Sequence, residues 1–229
     1  MRSELGVALV TGGASGLSAA VARAVDAAGG TAVVLDRTEP LFPVDFEQVD
    51  LAETREAEAA VERVAERHGR LDAVVTCAGV DSCGALGDVP GERWERVVRV
   101  NLLGTAAAVR AALPHLERAG GRVVTVASTL GLRALPEATA YCASKFGVVG
   151  FTRALAAETA GRIGVTLLVP GGMDTAFFDG RPERYRPPAG ARLNRPEDVA
   201  EAVLFALRQP AGCEVRELLV TPSTETSWP

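Results

Sequence analysis

The sequence predicts an α/β protein built as one doubly wound parallel sheet of about seven strands, with helices on both faces, over residues 1–229. Three observations predict it. Short apolar runs alternate with long amphipathic segments from end to end. The short runs are apolar at every position rather than at every second one, as in strands covered on both faces. No linker or repeat breaks the alternation, and 48% of the 229 residues are hydrophobic, enough for one buried core.

The elements follow in order. Val7–Thr11 (VALVT) reads as a buried strand, and Leu17–Ala28 as a helix stopped by Gly29 and Gly30. Thr31–Leu35 is the second strand. Pro40 and Pro43 make the next stretch irregular, with a short strand near Phe46–Val49. Glu53–Arg67 is a helix with a charged face, and Ala73–Thr76 the fourth strand. Glu92–Glu117 reads as one long helix, Arg122–Ala127 as the fifth strand, Thr139–Ala160 as a helix and Val165–Val169 as the sixth strand. Pro196–Arg208 is a helix with proline in its first turn, and Glu217–Val220 the last strand. Ligands of such sheets bind beyond the carboxyl ends of the strands, so Thr11, Asp36, Thr76, Ala127 and Val169 border the expected site.

Composition narrows the function. Net charge is −5 and no basic stripe appears, so nucleic acid is not an expected partner. No apolar run approaches the roughly 20 residues that span a bilayer, and the N-terminus lacks the features of a signal peptide, so no membrane partner is expected. Cys77, Cys83, Cys142 and Cys213 have no C-x-x-C spacing and lie far from His68 and His115 in sequence. Neither a metal site nor a disulfide framework is expected, and the pattern reads as a reduced, cytoplasmic protein.

The turn between the first strand and the first helix is TGGASGLS, residues 11–18. Glycines there let the backbone approach a phosphate, and the helix N-terminus offers free N–H groups. Gly12, Ser15, Gly16 and Leu17 are the candidate contacts. Asp36 ends the second strand, where a carboxylate accepts hydrogen bonds from both ribose hydroxyls and repels a 2′-phosphate; this favours NAD over NADP. Arg37 follows directly and could pair with a 2′-phosphate, so NADP stays possible.

One further feature stands out. Of 24 basic residues only Lys145 is Lys, and it lies four residues after Tyr141, one of two tyrosines. On a helix that spacing puts both on one face. With TGGASGLS, VLD, VDL, CAG, VNLLG, Ser128, YCASK and PGGMDT in this order, the chain resembles the classical short-chain dehydrogenase/reductase family, whose members share a Rossmann-type fold. The resemblance covers essentially the whole chain. It implies that Asn101, Ser128, Tyr141 and Lys145 form a catalytic tetrad. Tyr141 would exchange a proton with the alcohol or alkoxide, Ser128 would hydrogen-bond the substrate oxygen, and Asn101 would hold a water linking Lys145 to solvent. Lys145 would lower the Tyr141 pKa and bind the nicotinamide ribose. The resemblance also implies cofactor contacts from Asp50 and Leu51 at the adenine and from Cys77, Ala78 and Gly79 along the dinucleotide. Pro170, Gly171, Met173 and Thr175 would border the carboxamide and pyrophosphate.

Some residues depart from that pattern. Ser18 stands where the family has a third glycine, and Cys77 where it has Asn. The segment 176–194 reads either as a short substrate lid or as a solvated loop. Its Phe177, Phe178 and Tyr185 favour an apolar substrate, and Arg181, Arg184 and Arg186 could welcome an anionic handle. The tail 221–229 is atypical; Trp228 could anchor it on a neighbouring subunit, or it could fray. The resemblance implies a homo-oligomer, dimer or tetramer, with Ala106, Ala107, Val148 and Val149 packing between copies or covering the sheet. The expected function is an oxidoreductase moving a hydride between NAD(H) and a small secondary alcohol or ketone. Two alternatives are an NADPH-dependent 3-ketoacyl (or polyketide-type) reductase and a non-catalytic dinucleotide-binding sensor.

Overall fold

The computed structural model describes residues 5–225. Its strands are β1 (Val7–Thr11), β2 (Thr31–Asp36), β3 (Asp45–Gln48), β4 (Ala73–Thr76), β5 (Arg122–Val126), β6 (Gly164–Pro170) and β7 (Glu217–Val220). They form one parallel sheet in the order β3-β2-β1-β4-β5-β6-β7. The chain therefore starts mid-sheet, runs out to one edge, and crosses back to build the other half. The reversal between β1 and β4 opens a crevice at the strands' carboxyl ends.

Strand periodicity divides the core in two. Leu9, Val33, Leu35, Val74 and Val123 face α2 (Thr54–His68) and α4 (Thr105–Ala119). Ala8, Val10, Val34, Val75 and Val124 face α1 (Gly16–Ala27) and α6 (Pro196–Leu207). Each fully buried Val or Leu contributes about 1.5–3 kcal/mol, so both apolar faces hold their helices. Gly69 ends α2 and Gly120 ends α4 in the left-handed conformation glycine tolerates best.

The expected long helix is more structured than a regular one. It runs as α3 (Gly91–Val98), a π-turn over Arg99–Gly104, and α4. The extra residue of a π-turn redirects the side chains around it, and here that segment carries Asn101. A Cβ on Gly104 would lie 2.7 Å from the Leu51 carbonyl oxygen, so only glycine lets the helix pass this close. Taken together, Gly91–Ala119 is long and apolar enough to span a membrane by length and composition, which the sequence reading did not anticipate. Its apolar residues Val97, Ala108, Ala112 and Leu116 are buried within the fold.

The structure separates the two readings of these helix faces. Ala107, Val148 and Val149 are buried inside the single chain, and only Ala106 of the four named residues is half exposed. Those three side chains cover the sheet. The large apolar side chains exposed on the π-turn and α5 (Thr139–Glu158) are Leu103 and Phe146.

Candidate active site

The glycine turn is shaped by close approach. Gly12 has φ +74°, and a Cβ there would lie 2.7 Å from the Ala78 Cα, so β1 and β4 end in near contact. Thr11 Oγ1 accepts a hydrogen bond from Ala78 N at 3.2 Å and fixes that junction. Gly16 (φ +56°) opens α1, and a Cβ on it would be 3.4 Å from the Thr175 methyl. The turn after β1 thus meets the turn after β6. Ser15 precedes α1 without a side-chain cap, and the first turn of α1 has no acidic residue. Its N–H groups and positive dipole end suit a phosphate. The cradle fits a dinucleotide pyrophosphate, which Gly12, Ser15, Gly16, Leu17 and Thr175 would surround.

Asp36 is held firmly at the end of β2. Oδ2 accepts from Ala14 N and Oδ1 from Thr38 N, each at 3.0 Å. Arg37 is exposed, and its backbone carbonyl accepts from Gln48 Nε2 at 3.0 Å. The Asp50 side chain is engaged within the fold: Oδ1 accepts from Ala52 N at 2.9 Å, and Oδ2 pairs with Arg96 at 2.8 Å. These contacts hold its carboxyl below the usual carboxylate range despite partial burial. Leu51 beside it is buried.

Ser128, Tyr141, Lys145 and Asn101 come together where β4, β5, the π-turn and α5 (Thr139–Glu158) meet. Ser128 lies within hydrogen-bonding reach of the Tyr141 phenol. Ser128 Oγ also accepts from Leu130 N at 3.1 Å, which caps the short 3₁₀ turn Thr129–Gly131. Lys145 Nζ lies 5.7 Å from the Tyr141 ring centre and donates to the Val126 carbonyl at 2.8 Å. Asn101 is fully buried. Its Oδ1 accepts from Val80 N at 2.8 Å, and Nδ2 donates to the Val80 carbonyl at 2.9 Å and to Ser144 Oγ at 3.0 Å. The Ser144 hydroxyl in turn donates to the Tyr141 carbonyl at 2.8 Å. Asn101 therefore clamps the loop after β4 to α5.

Asn101 Oδ1 accepts one hydrogen bond and keeps a second acceptor site. One expectation changes here. The Tyr141 phenol is not lowered: burial pushes it above its usual value, with nearby Asp81 adding to the effect and Ser128 opposing it. Burial also lowers Lys145 to about 8, with Cys77 opposing. The ammonium is turned toward Val126, and at the phenol burial outweighs the opposing effects of Ser128 and Arg181. Ser144 was missed at the sequence level, although a small hydroxyl beside Lys145 on the buried helix face was visible.

The two departures in the cofactor loops touch each other. Burial pushes the Cys77 thiol up to about 12, while a hydrogen bond with Ser18 and the charge of Lys145 oppose that. Cys77 is thus an uncharged thiol at neutral pH, and Ser18 ties α1 to the end of β4. Gly79 lies against both Lys145 Nζ and Asn101 Oδ1, at 3.7 and 3.8 Å from where its Cβ would be.

Beyond β6 the turn is fixed from two sides. Gly171 N donates to the Val220 carbonyl at 2.9 Å, and Met173 bridges Asn194. Thr175 Oγ1 accepts from Phe177 N at 3.3 Å and starts the 3₁₀ turn Ala176–Phe178. The described part of the tail folds back on its own chain, where Glu225 Oε2 accepts from Gly172 N at 3.2 Å. Trp228 lies outside the described residues. No group of three or more metal-ligating side chains occurs among the described residues.

Gly131 holds the catalytic corner together by its lack of a side chain. A Cβ there would lie 2.8 Å from the Lys145 carbonyl oxygen, so the 3₁₀ turn after Ser128 packs directly on the α5 backbone. Gly131→Ala is expected to cost about 1–3 kcal/mol by overpacking, read as a lower denaturation midpoint with an unchanged slope. An unchanged midpoint would show that α5 yields freely.

A nucleotide cradle and a Ser–Tyr–Lys corner at one end of a doubly wound sheet define a dinucleotide-dependent oxidoreductase. The short chain dehydrogenase family model matches residues 6–186, and the chain belongs to that family. It is 34% identical to the glycine betaine reductase ATRR of Emericella nidulans, over 96% of this chain but only 19% of that protein. It is 31% identical to the 3-oxoacyl-[acyl-carrier-protein] reductase FabG of Thermotoga maritima, over 90% of this chain and 91% of that one. Among solved structures, an alcohol dehydrogenase from Thermococcus sibiricus complexed with 5-hydroxy-NADP superposes with a TM-score of 0.84 at 27% identity. It covers 94% of this chain and 95% of that one.

Proposed function

We propose that the chain is an NAD(H)-dependent oxidoreductase that interconverts a small secondary alcohol and its ketone. The observation that carries this reading is the corner where Ser128 faces the Tyr141 phenol, with Lys145 Nζ 5.7 Å from that ring and the glycine cradle beside it. A nicotinamide dinucleotide held in that cradle supplies the hydride acceptor or donor. Tyr141 gives its proton to the oxygen in reduction and takes it back in oxidation, and Ser128 orients that oxygen. Lys145 sets the electrostatics around the phenol. Asn101 and Ser144 act as positioning residues that hold the loop after β4 and the first turn of α5.

Asp36 supports NAD: its carboxylate is fixed by two backbone donors at the end of β2, where a 2′-phosphate would meet it. A matched calorimetric titration with NADH and NADPH is expected to give at least about tenfold tighter NADH binding, which is 1.4 kcal/mol. Tighter NADPH binding would instead favour the second reading, an NADPH-dependent 3-ketoacyl reductase. That reading draws on exposed Arg37, on the similarity to the Thermotoga reductase and on the NADP derivative in the Thermococcus structure. Tight binding without turnover of any alcohol or ketone would leave a dinucleotide sensor.

A further inference from the structure

The lid arginines are not an open anion cluster. Arg186 Nε donates to the Arg181 carbonyl at 2.7 Å, and Arg184 lies over the Tyr185 ring at 4.6 Å. Arg181 is engaged most deeply. Its guanidinium carbon is 4.4 Å from the centre of the Phe177 ring and 4.9 Å from that of Phe178. Its Nη2 is 3.2 Å from Asp81 Oδ2, an ion pair whose Nη2 is not aligned for a hydrogen bond, and the two side chains are only 15% and 7% exposed. Phe177 leads back to the reacting corner, because its ring packs against that of Tyr141 at 5.7 Å between centres. Asp81 belongs to the loop that Asn101 clamps; it also accepts from Ser82 N at 2.7 Å and from Cys83 Sγ at 3.2 Å. The pair thus joins a clamped loop after β4 to the segment after β6, one aromatic ring away from Tyr141.

We propose that Asp81 and Arg181 form a charge-compensated wall of the substrate pocket, which selects uncharged alcohols and ketones and rejects both carboxylate and ammonium analogues. This inference rests on the proposed oxidoreductase function. The physical argument is one of uncompensated charge. A substrate carboxylate gains only by drawing Arg181 away from Asp81, and an ammonium only by taking the place of Arg181 against Asp81 and the two rings. Either exchange leaves one member of a largely buried pair without its counter-ion, which is costly. A neutral ring or chain lies against Phe177 and Phe178 and disturbs neither charge. The two charges also act on the Tyr141 phenol in opposite directions, Asp81 raising it and Arg181 lowering it, so both lie within electrostatic reach of the reacting group.

The test uses three cyclohexanols that differ only across the ring, bearing a methyl, a carboxylate or a trimethylammonium group. Wild type is expected to favour the methyl compound in kcat/KM by at least about tenfold over each charged one. Asp81→Asn should raise the carboxylate-to-methyl ratio at least about tenfold, and Arg181→Leu should do the same for trimethylammonium. The Asp81→Asn/Arg181→Leu double variant should return both ratios toward wild type, because the wall is neutral again. A wild-type preference for either charged alcohol, or ratios unmoved by both single changes, overturns the proposal. Hydrogen exchange over residues 176–186 adds a readout that needs no turnover: both single variants should exchange faster than wild type, and unchanged exchange in both also overturns the proposal. If wild type oxidises none of the three, the oxidoreductase reading fails for this substrate class. Calorimetric Kd values for the three alcohols, measured on wild type and the variants with NAD present, then replace kcat/KM in the same ratios, and with the exchange data they decide the wall.

Discussion

Replacing Tyr141 by Phe is expected to lower kcat/KM by about 10²–10⁴, the usual worth of a positioned general acid or base. The ring that packs on Phe177 is kept, so the fold and NADH affinity should stay near wild type. What disappears is the hydroxyl that faces Ser128 and would exchange a proton with the substrate oxygen. Burial raises the phenol pKa, so wild-type Tyr141 is in its donor form through the neutral range and the reductive rate should be flat there. Single-turnover oxidation of NADH by a ketone substrate reads both effects. Full turnover by the Phe variant would remove Tyr141 from the chemistry and, with it, the reading of this corner as an acid–base site.

Lys145→Met is expected to do two opposite things: abolish most turnover and raise stability. The ammonium is 3% exposed, and burial lowers its pKa from 10.5 to about 8. A lysine with a lowered pKa in the folded state destabilises the fold wherever the unfolded chain is protonated and the folded chain resists protonation. The penalty is therefore complete below about pH 8 and disappears as pH rises from there to 10.5. At about 1.4 kcal/mol per pKa unit, it amounts to roughly 3 kcal/mol. Methionine keeps the aliphatic stem and removes this penalty, but it also takes the donor from the Val126 carbonyl, which returns about 1–2 kcal/mol. The net expectation is a Tm higher by about 2–8 °C at neutral pH. The gap between variant and wild type should close as the buffer is raised toward pH 10.5. A variant less stable than wild type at every pH would mean that the Val126 bond outweighs the buried charge. A variant with full turnover would mean that the lone lysine has no catalytic part.

Both predictions concern residues that could be read in the chain. Tyr141 and Lys145 are local to each other, since four residues on a helix is a short-range relation, and the helix was marked by its own periodicity. The glycine turn was equally local, because the same few residues close the strand, make the turn and open the helix. The strands were legible because burial on both faces leaves continuous apolar runs, and their boundaries differ from the expected ones by a residue or so. The π-turn at Arg99–Gly104 was not legible, because RVNLLG satisfies a regular helical pattern. Only the close passage of Gly104 by the Leu51 carbonyl shows why the helix bulges there.

The electrostatics was the least legible part. That a lysine sits beside a tyrosine says nothing about which effect wins at the phenol. The enclosure by α5, the loop after β4 and the segment after β6 decides that burial dominates. Likewise Asp81 and Arg181 are a hundred residues apart in sequence, and a row of lid arginines looks like an anion site until the fold brings a buried carboxylate to one of them.

The sequence by itself determined the class of fold, the order of its strands and helices along the chain, and the one-face relation of Tyr141 and Lys145, since each depends on spacing along a single element or on alternation between neighbours; Ser128 joined them through the family resemblance. Only the tertiary structure decided what the long-range partners do. It turned Asn101 into a clamp on Val80 and Ser144, joined Ser18 to Cys77, and paired Asp81 with Arg181. The physical reason is that hydrogen bonds and charge pairs act over a few ångströms, and which groups come that close is fixed by how the helices pack on the sheet.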